Sequence, residues 1–382
     1  MPRDTEAVRP ATATAAAVTT ILGVGAAAVA AGRYASDAAL RAPSGRPLPA
    51  DRKLTVHATA AGQVTLTRSF TALRPGTYGL VGDGVQAVVG PVIEQAPHAA
   101  DAVVRRLERV NHGSLEPGVQ VRITPALYSG DPGTALGLDH EDVEVPGELG
   151  VLPAWFVPGP RDTWVITVHG LGTTREHPMN LMEFLHGLRL PILDLAYRGD
   201  PGAPRSPDGL AHLGESEWRD LDAAVRFAVR YGAEKVVLHG WSTGATMALH
   251  AAVNSALRDR ICGLVLDSPA LDWATTLRAL ATARGVPSPL LPLALRAAQG
   301  QTGLRGSRLL DTSLPQVLHV PTLIFHGPDD TLAPWQPSRE LAERRPDLVS
   351  LRPVPQAPHA AMWNADPAHY EEALRRFLTP LM

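Results

Sequence analysis

Chemistry concentrates in a few short stretches of the second half of the chain. The first is Val236-Val237-Leu238-His239-Gly240-Trp241-Ser242-Thr243-Gly244-Ala245, an apolar strand-like run that enters Gly-x-Ser-x-Gly and leaves into the helix-forming Ala245 to Ala251. A serine on so tight a strand-to-helix turn needs glycine on both sides, because neighbouring side chains would collide, and the turn lifts its hydroxyl off the sheet. Ser242 is therefore read as a nucleophile, the bland alternative being an ordinary tight turn. A serine hydroxyl attacks poorly at neutral pH unless a histidine within hydrogen-bond reach accepts its proton. Of the fourteen histidines, His359 is the one placed after every expected strand, in Gln356-Ala357-Pro358-His359-Ala360-Ala361-Met362-Trp363 between the last strand and the last helix. His169, His239 and His326 each end a strand just before a glycine and read as side chains packed beside the sheet end. His177, His212, His250 and His369 fall in or near expected helices and read as facing solvent or satisfying local hydrogen bonds.

A third group must fix the imidazole tautomer and stabilise its charged form. Asp330 stands in His326-Gly327-Pro328-Asp329-Asp330-Thr331-Leu332-Ala333-Pro334, just past the strand that precedes the one leading to His359. Its neighbour Asp329 and the strand-ending Asp267 are the alternatives. Acyl transfer also needs donors aimed at the developing oxyanion. The backbone N–H of Thr243 supplies one. The segment Val168-His169-Gly170-Leu171-Gly172-Thr173-Thr174 supplies the other, with Leu171 as the expected donor and Gly170 and Gly172 permitting close approach. The cluster Asp139, His140, Glu141, Asp142 has metal-ligand residue types, but adjacent residues on a strand alternate faces, so it reads as a solvated turn and no metal is expected.

The elements that must hold these groups are legible in the spacing of apolar residues. From about Asp142 onward, β-type runs alternate with helix-period segments, the pattern of a parallel sheet covered by helices. Asp142 to Val145 and Leu152 to Val157 read as an opening antiparallel pair. Trp164 to Val168, Ile192 to Ala196, Val236 to His239, Gly263 to Leu266, Thr322 to Phe325 and Val349 to Pro353 follow. Leu221, Ala224, Val225, Ala228 and Val229 keep helical spacing, as do Tyr370, Ala373, Leu374, Phe377 and Leu378. Ahead of this region, residues 50–137 read as a smaller β-rich module of unknown role. Its runs Leu54 to Ala58, Gln63 to Thr67, Thr77 to Val81, Gln86 to Val89 and Val119 to Thr124 are separated by Gly- and Pro-containing breakers. One helix is expected inside it, from His98 to Val110, with Val103, Val104 and Leu107 opposite Arg105, Arg106 and Glu108.

These positions together resemble the α/β-hydrolase superfamily, and more narrowly its bacterial serine hydrolases carrying HG-x-G, G-W-S-x-G and HG-x-x-D-x-x-x-P. The resemblance spans about Asp142 to Met382, with a catalytic region over 138–382. It implies an eight-stranded, mostly parallel sheet, a triad on loops at the strand C-terminal ends, and no cofactor. Tyr197-Arg198-Gly199-Asp200 and Asp267-Ser268-Pro269 also look like strand-end motifs of these enzymes. A variable cap in the family often follows the sixth strand. Here the apolar, Pro-broken stretch Ala270 to Val320 holds that place and is expected to wall the acyl pocket.

Residues 11–32 carry no charge and at helical rise are about long enough to cross a hydrocarbon core of roughly 30 Å. They read as a single-span membrane anchor, with a cleaved export signal or an Ala-rich tail as alternatives; residues 33–49 read as a linker. Arg3 and Arg9 precede the span and Arg33, Arg41 and Arg46 follow it, so charge does not fix which side the body lies on. A net charge of -3, without a long basic run, argues against nucleic-acid partners. The single Cys262 has no intramolecular disulfide partner and reads as a small buried hydrophobe. Three functions fit: hydrolysis of a small-molecule carboxylic ester through an acyl-enzyme, peptide cleavage by the same constellation, and a catalytically silent binding protein of the same fold.

Overall fold

Val- and Thr-rich segments of five to eleven residues cannot bury both faces alone, and those of the N-terminal third solve this by closing on one another. The computed structural model of the protein describes residues 27–41, 53–96, 99–302 and 314–382. Strands β1 (Leu54–Ala60), β2 (Gln63–Thr67), β3 (Tyr78–Gly82), β4 (Val85–Val92), β5 (Ala102–His112) and β6 (Gln120–Thr124) form a closed antiparallel barrel in the order β1-β2-β5-β4-β3-β6. Leu54, Val56, Val64, Leu66, Tyr78 and Leu80 point into its core. Closure removes the exposed sheet edges that an open six-stranded sheet would carry.

Strand β5 corrects the expectation of a helix over 98–110. Val103 and Val104 fit a strand as well as a helical stripe, and the place between β2 and β4 must be filled for the barrel to close. Arg105, expected on a solvent face, is fully buried instead. Its guanidinium donates to the carbonyls of Gly90, Ala72, Arg74 and Gly76, which repays its desolvation and ties the connection between β2 and β3 to the barrel. Burial lowers its pKa to about 10.

The second body is an eight-stranded sheet in the order β14-β13-β12-β11-β9-β10-β8-β7. Its strands are β7 (Glu141–Pro146), β8 (Val151–Val157), β9 (Thr163–Val168), β10 (Ile192–Leu195), β11 (Lys235–Trp241), β12 (Ile261–Asp267), β13 (Thr322–His326) and β14 (Val349–Pro353). From β10 to β14 all pairings are parallel, and β7 and β8 form the antiparallel edge. Strands buried on both faces should be apolar throughout, and every residue of β9, β10 and β13 is buried. Helices α4 (Trp218–Arg230) and α5 (Thr243–Asn254) cover one face through Leu221, Ala224, Val225 and Ala248. Helices α3 (Met179–Gly187) and α11 (Pro367–Leu378) cover the other through Met182, Leu185, Tyr370 and Leu374. This is the α/β-hydrolase fold expected from the sequence.

Between β12 and β13 lie α6 (Trp273–Ala283) and α7 (Leu291–Thr302). They bury Trp273, Leu277, Leu280 and Ala294 against Ala35, Ala39 and Leu40 of a helix over residues 27–40, here α1. The stretch from 33 to 40, expected as linker, is thus helical and packed. Most of the expected span 11–32 lies outside the described residues; among those described, no helix is long and apolar enough to cross a membrane. Cys262, expected buried, is partly buried at the start of β12, packed against the core with its thiol toward the Val236 carbonyl.

Candidate active site

Strand β11 ends at Trp241 and α5 begins at Thr243, so a single residue makes the turn between them. That residue, Ser242, has φ 52 and ψ -116, a conformation that costs a non-glycine residue about 1–3 kcal/mol and persists only where packing imposes it. The packing is visible in its glycines. A Cβ on Gly240 would lie 2.4 Å from the Gly244 carbonyl carbon, and one on Gly244 would lie 2.3 Å from the Val168 oxygen. Strand, turn and helix can cross this closely only without those side chains. Gly170 of the β9 loop is constrained in the same way, since its Cβ would come within 2.7 Å of the Ser242 Cβ.

The loop after β14 carries His359, whose Nε2 lies 2.7 Å from the Ser242 Oγ. On its far side, Nδ1 lies 2.7 Å from the Asp330 Oδ2, so that ring nitrogen donates to the carboxylate. Asp330 follows β13, and its side chain is fully buried. Its Oδ1 accepts the backbone N–H groups of Leu332 and Ala333, and its Oδ2 also receives His326 Nε2 at 3.1 Å. Burial pushes this carboxyl up, but the imidazoles of His359 and His326 and their hydrogen bonds outweigh it and hold Asp330 well below the usual carboxylate range. For His359 burial acts downward, yet the charge and hydrogen bond of Asp330, with Asp267 further off, leave it raised above the ordinary imidazole value of 6.5.

The two weaker candidates for the acid lie elsewhere. Asp329 accepts the backbone N–H of Gln356. Asp267, at the end of β12, is buried and pushed up to about 7 by desolvation. It accepts from the Ser268 hydroxyl, which in turn accepts the backbone N–H of Ala360, so Asp267 steadies the loop that presents His359. Leu171 and Thr243, the expected oxyanion donors, flank the serine: Leu171 shares a cavity with Ser242 and His359, and Thr243 opens α5. The loop bearing Leu171 is fixed from below. His169 Nε2 lies 2.7 Å from Asp200 Oδ2, which also accepts the Tyr197 N–H, and the His169 ring stacks on Tyr197. This support was visible in the sequence as Tyr197-Arg198-Gly199-Asp200 without an assigned task. The Asp139 to Asp142 segment leads into β7, where His140 Nε2 lies 3.7 Å from Asp131. Among the described residues no cluster of His, Cys, Asp or Glu has the geometry of a metal site.

The remaining histidines sort by partner. His326 also meets the Ser338 hydroxyl at 2.8 Å, and His239 meets the Tyr370 hydroxyl at 3.0 Å. His177, expected to face solvent or satisfy local hydrogen bonds, does not face solvent. It is buried, tilted against the Trp241 ring, and desolvation lowers its pKa to about 3, which keeps it neutral.

A cavity of about 600 Å³ opens over Ser242 and His359. The sheet side contributes Gly170 to Thr174, Thr331, Leu332, Pro358 and Ala360. The opposite wall is the barrel, through Val81, Val85, Gln86, His112, Ile123 and Ala126 among others. None of the described residues between 270 and 320 lines it, which corrects the expected role of that stretch. Leu171 and Leu332 do pack against the α6–α7 cluster from behind, so the helices support the wall without forming it.

Residues 165–381 match the alpha/beta hydrolase family, and residues 55–124 match a domain of unknown function, DUF8805. The uncharacterized protein YfhR of Escherichia coli O157:H7 is 24% identical over 246 residues, covering 61% of this chain and 76% of that protein. The uncharacterized protein Rv2307c of Mycobacterium tuberculosis is 29% identical over 255 residues, covering 62% and 79%. Among solved structures, the Pyrococcus furiosus esterase Pf2001 shares the fold with a TM-score of 0.55 at 24% identity, over 66% of this chain and 94% of that one.

Proposed function

The chain belongs to the alpha/beta hydrolase family, and from that premise we propose that it cleaves carboxylic esters through an acyl-enzyme, with Ser242 as nucleophile, His359 as base and Asp330 as orienting carboxylate. The observation that carries this reading is the unbroken relay of 2.7 Å from Ser242 to His359 and 2.7 Å from His359 to Asp330. The Ser242 oxygen attacks the ester carbonyl as its proton passes to His359 Nε2. The carbonyl electron pair becomes an oxyanion facing the backbone N–H groups of Thr243 and Leu171. Collapse breaks the bond to the alcohol, which leaves with the proton from His359. A water then attacks the acyl-enzyme and gives its proton to His359, which passes it to the Ser242 oxygen as the serine–acyl bond breaks and the acid leaves. Asp330 stays ionised throughout and stabilises the imidazolium. Val85, Ile123, Leu171 and Leu332 in the cavity lining suit the hydrocarbon part of a small ester. The Pyrococcus furiosus protein of the same fold is itself named an esterase.

A fluorophosphonate probe should label the wild type and not Ser242→Ala, and the wild type should hydrolyse p-nitrophenyl esters. His359→Ala should fold normally by circular dichroism and lose about three orders of magnitude in kcat. Ester turnover that survives in Ser242→Ala would sink the reading. Aminoacyl amides cleaved faster than aryl esters would move it to the peptidases.

A further inference from the structure

The barrel has no assigned task, yet it supplies the wall that faces the serine. A cavity of about 600 Å³ lies in the range that small-molecule sites occupy, roughly 300–1,000 Å³. Ser242 and His359 stand on one side. Facing them are the β3–β4 hairpin with Val81 and Val85, Gln86 beside it, and Ile123 to Ala126 at the exit of β6.

This wall is fixed in place. Asn364 Nδ2 donates to the carbonyls of Thr77 and Pro125, while its own backbone oxygen accepts the Thr77 N–H. Asn180 Nδ2 donates to the same Pro125 carbonyl and its Oδ1 accepts the Leu127 N–H. Gly76 sits so close that a Cβ there would lie 1.9 Å from the Asn364 oxygen. Ala361, two residues beyond His359, is part of the barrel's own apolar cluster. Barrel and base loop therefore pack against each other, with the cavity between them.

The wall's chemistry limits what fits. On the barrel side its buried apolar members are Val85 and Ile123, beside the buried Thr124 and Arg74, and Leu332 and Ala360 face them from the sheet side. Among its charged members, Glu176 already accepts the Gly130 N–H, the Arg74 guanidinium lies over the Phe70 ring, and His112 is at the exposed rim. We infer that the barrel is the substrate-selecting wall of this hydrolase. It receives the neutral, apolar group that an ester extends away from its scissile carbonyl. This rests on the ester-hydrolase reading above.

The test enlarges the barrel wall without touching the triad or its loops. Ala126→Phe and Gln86→Trp, each in the full chain, fill the cavity from two independent barrel positions. Two p-nitrophenyl and alkyl ester series, one lengthened in the acyl chain and one in the alcohol, are compared with Ser242 labelling by fluorophosphonates of short and long alkyl chain. With either variant, kcat/KM should fall at least tenfold more for the longest esters of at least one series than for the shortest, about the effect of misfitting one or two methylenes. Labelling by the long probe should slow in parallel. Length profiles unchanged in both variants, or an equal loss at every length with Tm unchanged, would overturn the barrel assignment while wild-type labelling leaves the triad reading standing. Wild type that takes up neither probe would overturn both.

Discussion

His359 stands between a carboxylate that touches it and one that does not, and the distinction has a measurable consequence. Asp330 accepts from its Nδ1, while Asp267 acts through Ser268 and the backbone of Ala360. Both favour the charged imidazole, so its pKa lies above 6.5 in spite of burial. The role of base proposed for His359 requires a neutral ring, and a raised pKa keeps the ring protonated to higher pH. Activity should therefore rise with pH through a midpoint above 6.5 in kcat/KM, and be lost as pH falls below it. Asp330→Asn removes the larger upward influence, so its acid limb should move to lower pH while kcat drops by about four orders of magnitude. A wild-type midpoint at or below 6.5 would contradict this placement of charge.

At the scale of elements, α1 shows how a short helix is held without a long apolar face of its own. Its C-terminal carbonyls have no intrahelical partners, and the Arg284 guanidinium, from the turn after α6, donates to those of Ala38, Ala39 and Arg41 at 2.5, 2.8 and 2.9 Å. A cation at a helix C-terminus also opposes the negative end of the dipole. Arg284→Ala should cost about 1–3 kcal/mol, the usual size for losing charged hydrogen bonds. It should lower Tm by a few degrees in a thermal melt, with ester turnover little changed. An unaltered Tm would mean that α1 is held by its apolar contacts alone. The same scale holds the main misreading of the sequence: in β5 the pairing of Val103 and Val104 within the barrel decided strand over helix, where local spacing was ambiguous.

For the molecule as a whole, the decisive feature is the seam between barrel and sheet, fastened at the Pro125 carbonyl by two asparagines from different helices of the hydrolase body. Asn364→Ala deletes donors to two carbonyls in a buried setting, which should cost about 1–3 kcal/mol. The loss should be felt at the seam. Limited proteolysis of the connection between residues 125 and 140 should speed up several-fold, the change expected when about 1 kcal/mol is removed from a local opening equilibrium. Cleavage at the wild-type rate would show that apolar contact such as that of Ala361 fastens the barrel without these hydrogen bonds.

What the sequence determined was whatever short-range geometry dictates. Glycines at 240 and 244 specify the turn at Ser242, alternating apolar runs specify all eight strands of the sheet, and chain order sets Asp330 and His359 on adjacent strand ends. What only the tertiary structure decided was which remote segments meet: that Ala102–His112 is a barrel strand, that Arg105 and His177 are buried, and that the barrel and not the helices of 270–320 closes the space above the serine. Contacts of that kind depend on how whole surfaces fit and on where their polar groups find partners, and no residue's near neighbours in the chain encode that.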